Sequence, residues 1–137
     1  MIEIRRLSDT EAEALWSEIR PLLLPAFERS RGTYDAKTAL LQLLNNMAQA
    51  WTVTQDGRIV AAAMTALHGL PQGKAGHVIA LGGSGMTDWM SALHTAFEDF
   101  ARAEGCTRLT LQGRSGWGRY LLGLGWSSVE VVMMKEI

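Results

Sequence analysis

His77-Val78-Ile79-Ala80-Leu81-Gly82-Gly83-Ser84-Gly85-Met86-Thr87-Asp88-Trp89 is the stretch on which the fold turns. Its first five residues form a short apolar run that glycines interrupt abruptly, the pattern of a well-covered strand. A helix comes next: Thr87 can cap it, Trp89, Leu93, Ala96, Phe97 and Phe100 recur on one face, and Gly105 stops it. A phosphate in such a strand-to-helix turn would meet free amides and the positive end of the helix dipole. The same glycines also have a packing use, since they let a strand end in a bulge with Trp89 packed beneath. Both readings stand at the level of sequence.

Glycine usage points to the same region. Of 14 glycines, only Gly32 and Gly57 precede Gly69, and the rest run from Gly69 to Gly125. Glycine supplies positive φ and close backbone approach at an entropic cost, so the special backbone demands fall in the second half.

Working outward, Ile2, Ile4 and Leu7 alternate as a first strand, and Ser8 with Glu11 makes a capping box for a helix carrying Ala12, Leu15, Trp16, Ile19 and Leu23. Pro21 and Pro25 predict a kink or break there. Asp35 can cap a second helix with a stripe of Leu40, Leu41, Leu44, Met47 and Ala48. Trp51–Thr54 reads as a strand, Asp56-Gly57 as a hairpin turn, and Arg58–Leu67 as the returning strand. A turn spans Gly69–Gly76, and Arg108–Leu111 is a fifth strand. A short helix around Arg119–Leu124 ends at Gly125, and Val129, Val131 and Met133 alternate as a last strand. The order predicts one α/β (α+β) domain over residues 1–137, a mostly antiparallel sheet of about six strands with helices on both faces.

Composition narrows the function classes. At 137 residues the chain suits one core, and 13 basic against 14 acidic residues give a formal net charge of -1. Basic residues are scattered and matched by acids, so neither nucleic-acid nor membrane-surface binding is expected. No apolar run reaches the roughly 20 residues of a membrane-spanning helix. One cysteine, Cys106, forms no internal disulfide and fits a reducing compartment. His68, His77 and His94 lack the spacing of a helical zinc pair, and no metal site is expected.

The element order resembles the GNAT (acetyl-CoA-dependent N-acetyltransferase) fold over essentially the whole chain. More narrowly, the sequence is similar to short GNAT-like proteins encoded by tailed bacteriophages and prophages. The segments carrying the likeness are Leu81–Trp89, Phe100-Ala101-Arg102-Ala103-Glu104-Gly105-Cys106, and Gly113-Arg114-Ser115-Gly116-Trp117 with Gly125-Trp126 beyond it. The resemblance implies a cleft between the fourth and fifth strands, in which Ile79, Ala80 and Leu81 pair with the pantetheine arm of acetyl-CoA. Gly82, Gly83, Ser84 and Gly85 would then face its pyrophosphate, with Arg114 as a further anion contact. This loop departs from the family pattern. It lacks the usual opening Arg or Gln, and Asp88 brings a carboxylate into the helix's first turn.

Acetyl transfer to an amine needs a base and an acid. The family places a Tyr four residues before the Gly of a Gly-Phe pair; here Gly125-Trp126 stands for that pair, which puts Leu121 at the matching position and Tyr120 one residue away. Tyr120 is the acid candidate. His77, opening the fourth strand, is the base candidate, with His68 next, because an imidazole titrates near neutral pH. Two functions are implied. One is an acetyltransferase-like protein taking acetyl-CoA and an unidentified amine acceptor. The other is a catalytically inactive GNAT-fold phage protein, a virion-associated structural or protein-binding module with a phage or host protein as partner. The resemblance implies the cytoplasm of a bacterial host, or the virion, as location.

Overall fold

Asp56 and Gly57 close a two-residue hairpin with φ of 50° and 82°, the doubly positive pair that matches strand twist. The computed structural model describes residues 1–113, 117–130 and 132–137. The hairpin joins β2 (Gln49–Gln55) to β3 (Arg58–Leu70), and a turn at Pro71-Gln72 leads into β4 (Gly73–Gly83). With β1 (Ile2–Leu7) and β5 (Arg108–Leu111) they form one sheet in the order β1-β2-β3-β4-β5. Every pairing is antiparallel except the parallel pair β4 and β5. The expected turn over Gly69–Gly76 therefore shrinks to two residues, and both flanking strands are longer than their apolar centres suggest.

Helices cover both faces. α1 (Asp9–Arg29) and α2 (Ala36–Leu44) lie on one, α3 (Met86–Ala103) on the other. Strand alternation sorts the side chains: Ala50, Ala62, Met64 and Ala80 pack under α1, while Trp51, Ala61, Ala63 and Val78 pack under α3. The alanines of β3 keep both helical layers close; Ala61 and Ala62 are fully buried.

The caps are set by sequence. Ser8 Oγ accepts from the Glu11 amide at 3.1 Å, and Glu11 Oε1 accepts from the Ser8 amide at 3.0 Å. Asp35 Oδ1 accepts from the Thr38 amide at 2.7 Å. α3 ends in a Schellman motif, with Gly105 at φ 79°, the Gly105 amide on Arg102 and the Cys106 amide on Ala101.

Several expectations are corrected. α1 runs unbroken through Pro21 and Pro25. An interior proline costs about 3 kcal/mol, whereas burying a large apolar side chain contributes roughly 1.5–3 kcal/mol. Ile19, Leu23 and Phe27 are buried, and Leu15, Trp16, Leu22 and Leu24 partly so. Packing on the sheet outweighs the local breaks. α2 buries Ala39 and Leu43, while Leu41 and Met47 are exposed, so the inward stripe is offset from the expected one. Gly85, in a left-handed conformation, takes the N-cap position in place of Thr87.

The sheet has five strands among the described residues. After α4 (Trp117–Leu121) and a 3-10 turn ending at Gly125, no strand forms in 126–130 or 132–137. Val129 is 83% and Met133 89% exposed, so among the described residues these two positions pair with no strand and face no core.

Candidate functional site

β4 is 11 residues long and β5 only four, and this mismatch leaves part of β4 without β5 beside it. Pairing between them covers Ala75↔Arg108, Gly76↔Leu109, His77↔Thr110 and Val78↔Leu111. From Ile79 to Gly83, no strand among the described residues pairs with β4 on that side. The β4–β5 pairing ends at Val78, and β4 runs on toward the start of α3.

A bulge sits where this pairing ends. Met64 of β3 pairs with Ala80, but the next residue, Thr65, pairs with Val78, so Ile79 is the extra residue. Ile79 and Ala80 accordingly both pack toward α1, while Val78 and Leu81 pack toward α3. A bulge disrupts the ladder and re-aims backbone groups. Here it does so at the first position freed from β5.

The glycine turn divides into packing and open positions. Gly82 and Gly83 belong to β4 rather than to a loop. A Cβ at Gly82 would overlap the Leu22 carbonyl of α1, and one at Gly83, whose φ is 147°, would stand 2.5 Å from the Ala61 Cα. The Ser84 amide donates to the Val60 carbonyl at 3.0 Å, and its own carbonyl accepts from Trp89 Nε1 at 2.7 Å. Trp89 is buried beneath the turn. The amides of Gly85, Met86 and Thr87 have no hydrogen-bond partner among the described residues, and they lie at the open end of α3. Asp88 stands in the same first turn, close to Gly85.

Within the paired stretch, His77 and Thr110 face each other across the two strands, with Nδ1 of His77 2.8 Å from Oγ1 of Thr110. The ring is half-buried and stacks on exposed His68 of β3, centroids 5.1 Å apart and planes within 20°. Burial holds the His77 pKa below its ordinary value of 6.5, and the His68 charge adds to the effect. His77 is therefore a neutral imidazole at neutral pH, one register pair from the end of the β4–β5 pairing. Sequence reading named His77 and His68 separately; their juxtaposition, and the part of Thr110, depend on β3, β4 and β5 lying side by side.

Tyr120 lies on α4 and is 42% exposed, while its neighbour Leu121 turns inward at 8%. Arg114 lies outside the described residues. Arg58, which the sequence reading did not single out, opens β3 at the end of the sheet where the glycine turn lies. Two depressions are lined by no residue of β4 or β5, one of about 410 Å³ over the start of α1 and one of about 540 Å³ beside Leu22 and Arg58. Among the described residues, no three His, Cys, Asp or Glu side chains gather as metal ligands, and no helix is long and apolar enough to cross a membrane.

Comparison with known proteins identifies no matching family model and no matching curated sequence. Solved structures match over nearly the full length. A GCN5-related N-acetyltransferase of Ralstonia eutropha superposes with a TM-score of 0.68 at 18% identity, covering 100% of this chain and 99% of that one. The fold is that of the GNAT acetyltransferases. A ribosomal-protein-alanine N-acetyltransferase of Brucella melitensis gives a TM-score of 0.69 at 20% identity, over 98% of this chain and 99% of that one. A predicted acetyltransferase of Clostridium acetobutylicum, solved with acetyl-CoA, gives 0.69 at 12% identity, over 99% and 96%. Similarity at this level of identity shows the GNAT fold, and one fold hosts many roles.

Proposed function

We propose that this GNAT-fold protein is an acyl-CoA-dependent N-acyltransferase whose cofactor lies in the seam between β4 and β5. The observation that carries the reading is the run of β4 beyond Val78, five residues from Ile79 to Gly83 unpaired on the β5 side among the described residues. An unpaired strand edge recruits an extended, amide-bearing chain through backbone hydrogen bonds, and the pantetheine arm of acetyl-CoA is such a chain. Ile79, Ala80 and Leu81 would hold that arm. The amides of Gly85, Met86 and Thr87 at the start of α3 suit the pyrophosphate. Gly82, Gly83 and Ser84 shape the turn by packing, and Arg58 and Arg114 are the cations to test against the charge of Asp88.

When bound, acetyl-CoA supplies an activated thioester carbonyl. The chain's own residues then have two proton tasks. His77, uncharged at neutral pH, takes a proton from the acceptor amine as the nitrogen–carbonyl bond forms. Tyr120 returns a proton to the departing thiolate. The acceptor would enter on the α1 side of the sheet, the side His77 faces by strand alternation. Calorimetric titration with acetyl-CoA tests the reading: saturable binding supports it, and no binding at millimolar ligand refutes it.

A second reading has its own support. Ser84 is bonded on both sides and Asp88 sets a carboxylate against any incoming phosphate, features suited to a GNAT-fold module that binds protein rather than cofactor. Capture of a phage or host partner, together with absent acetyl-CoA binding, distinguishes it.

A further inference from the structure

We infer that Thr110 is a positioning residue that fixes the tautomer of His77, accepting the Nδ1 proton and leaving the Nε2 lone pair bare. The choice of tautomer and its consequence for catalysis rest on the acyltransferase reading; the hydrogen bond that holds the ring does not.

The geometry carries the argument. Thr110 Oγ1 lies 2.8 Å from His77 Nδ1, and the two residues are register partners on adjacent strands. Both partners are therefore fixed by backbone pairing, and the hydrogen bond orients the ring as well as occupying one nitrogen. A hydroxyl can donate or accept, but the two directions have different consequences. If Thr110 donates, Nε2 carries the proton, and the ring has no free lone pair for an amine. If Thr110 accepts, Nε2 is free, and the same hydrogen bond survives when Nε2 takes up a proton. Only the second arrangement leaves His77 able to cycle between neutral and charged forms without reorganising its partner.

The surroundings fit a positioned base: among the described residues no carboxylate is hydrogen-bonded to the His77 ring. The titratable group stacked on the ring is His68 of β3, at 5.1 Å between centroids. On β5, Thr110 is uncharged, and Arg108 lies two residues earlier on the same face. A carboxylate in place of Thr110 would hold the ring as imidazolium; a hydroxyl sets the tautomer without doing so. Burial first and His68 second disfavour the charged form of His77.

The test is long-range proton–nitrogen correlation NMR above neutral pH on nitrogen-labelled protein, with the His77 signals assigned by their loss in His77→Gln. Wild type and Thr110→Ser should show a protonated Nδ1 and a bare Nε2. Thr110→Val, which keeps the shape and removes the hydroxyl, should shift the ring toward the Nε2-protonated tautomer that free imidazole prefers. In an acetyl-transfer assay Thr110→Val should lower kcat about tenfold or more at unchanged KM for acetyl-CoA, with Thr110→Ser restoring it. An Nε2-protonated ring in wild type, or an unchanged tautomer in Thr110→Val, overturns the inference. Absent acetyl-CoA binding with the Nδ1 proton in place refutes the acyltransferase reading while supporting the assignment of Thr110.

Discussion

Gly82 of β4 lies directly against the backbone of Leu22 in α1, so closely that any Cβ at position 82 would overlap the Leu22 carbonyl oxygen. The first glycine of the turn therefore lets the helical layer settle on the sheet. Gly82→Ala should destabilise the protein by about 1–3 kcal/mol, the cost of overpacking where backbone must move. Gly69→Ala, with open space around it, should change stability by less than about 0.5 kcal/mol. Urea denaturation of the two variants checks the contrast.

Trp89 ties the turn to the core. Its indole donates to the Ser84 carbonyl at 2.7 Å while the ring is buried under α3's face of the sheet. Trp89→Phe should cost about 1–3 kcal/mol, because it leaves the Ser84 carbonyl without this donor and opens a gap. Thermal unfolding should show it.

His77 gives stability a pH dependence of definite sign. Its folded-state pKa is depressed by burial first and His68 second. Between that value and the ordinary 6.5, the unfolded chain binds a proton that the fold does not. Stability should therefore fall as pH drops below about 6.5, and the slope should vanish below the folded pKa. His77→Gln should flatten this part of the profile. His68→Gln removes the repulsion, so the pH at which His77 protonates should rise, and an acid limb in kcat/KM should move upward with it.

The protonation of the thiolate leaving group has its own test. Tyr120→Phe should lower kcat about tenfold or more without changing the Kd for acetyl-CoA. Unchanged kcat would exclude Tyr120 as the acid, consistent with a side chain 42% open to solvent.

Much of this fold is legible in the sequence, for local reasons. Ser8, Asp35 and Gly105 act within one turn of their own positions, and Asp56-Gly57 sets its hairpin with two residues. Trp89, Leu93 and Phe97 mark the α3 face because four-residue spacing survives any tertiary context. Apart from the cap of α3, which Gly85 takes in place of Thr87, the main misreadings are non-local. Pro21 and Pro25 are tolerated because Ile19, Leu23 and Phe27 bury against a sheet made of distant residues. Gly82 resembles a loop glycine until α1 is laid across it. The stretch after Gly125 has the alternation of a strand, but alternation alone does not supply a neighbour to pair with. Within the site, His77 is nameable from its position, whereas Thr110 becomes relevant only through the β4–β5 register.

The glycine turn and the seam assign separate duties to residues that read as one motif in sequence. Gly82 and Gly83 serve packing, the edge from Ile79 to Leu81 has no β5 partner among the described residues, and the amides of Gly85, Met86 and Thr87 have no hydrogen-bond partner there. The most direct test of the proposed acetyl-CoA site is calorimetric titration of the wild-type protein with acetyl-CoA. Saturable one-to-one binding below millimolar ligand is the expected result; no heat of binding at millimolar acetyl-CoA, from protein shown to be folded, would contradict the acyltransferase reading.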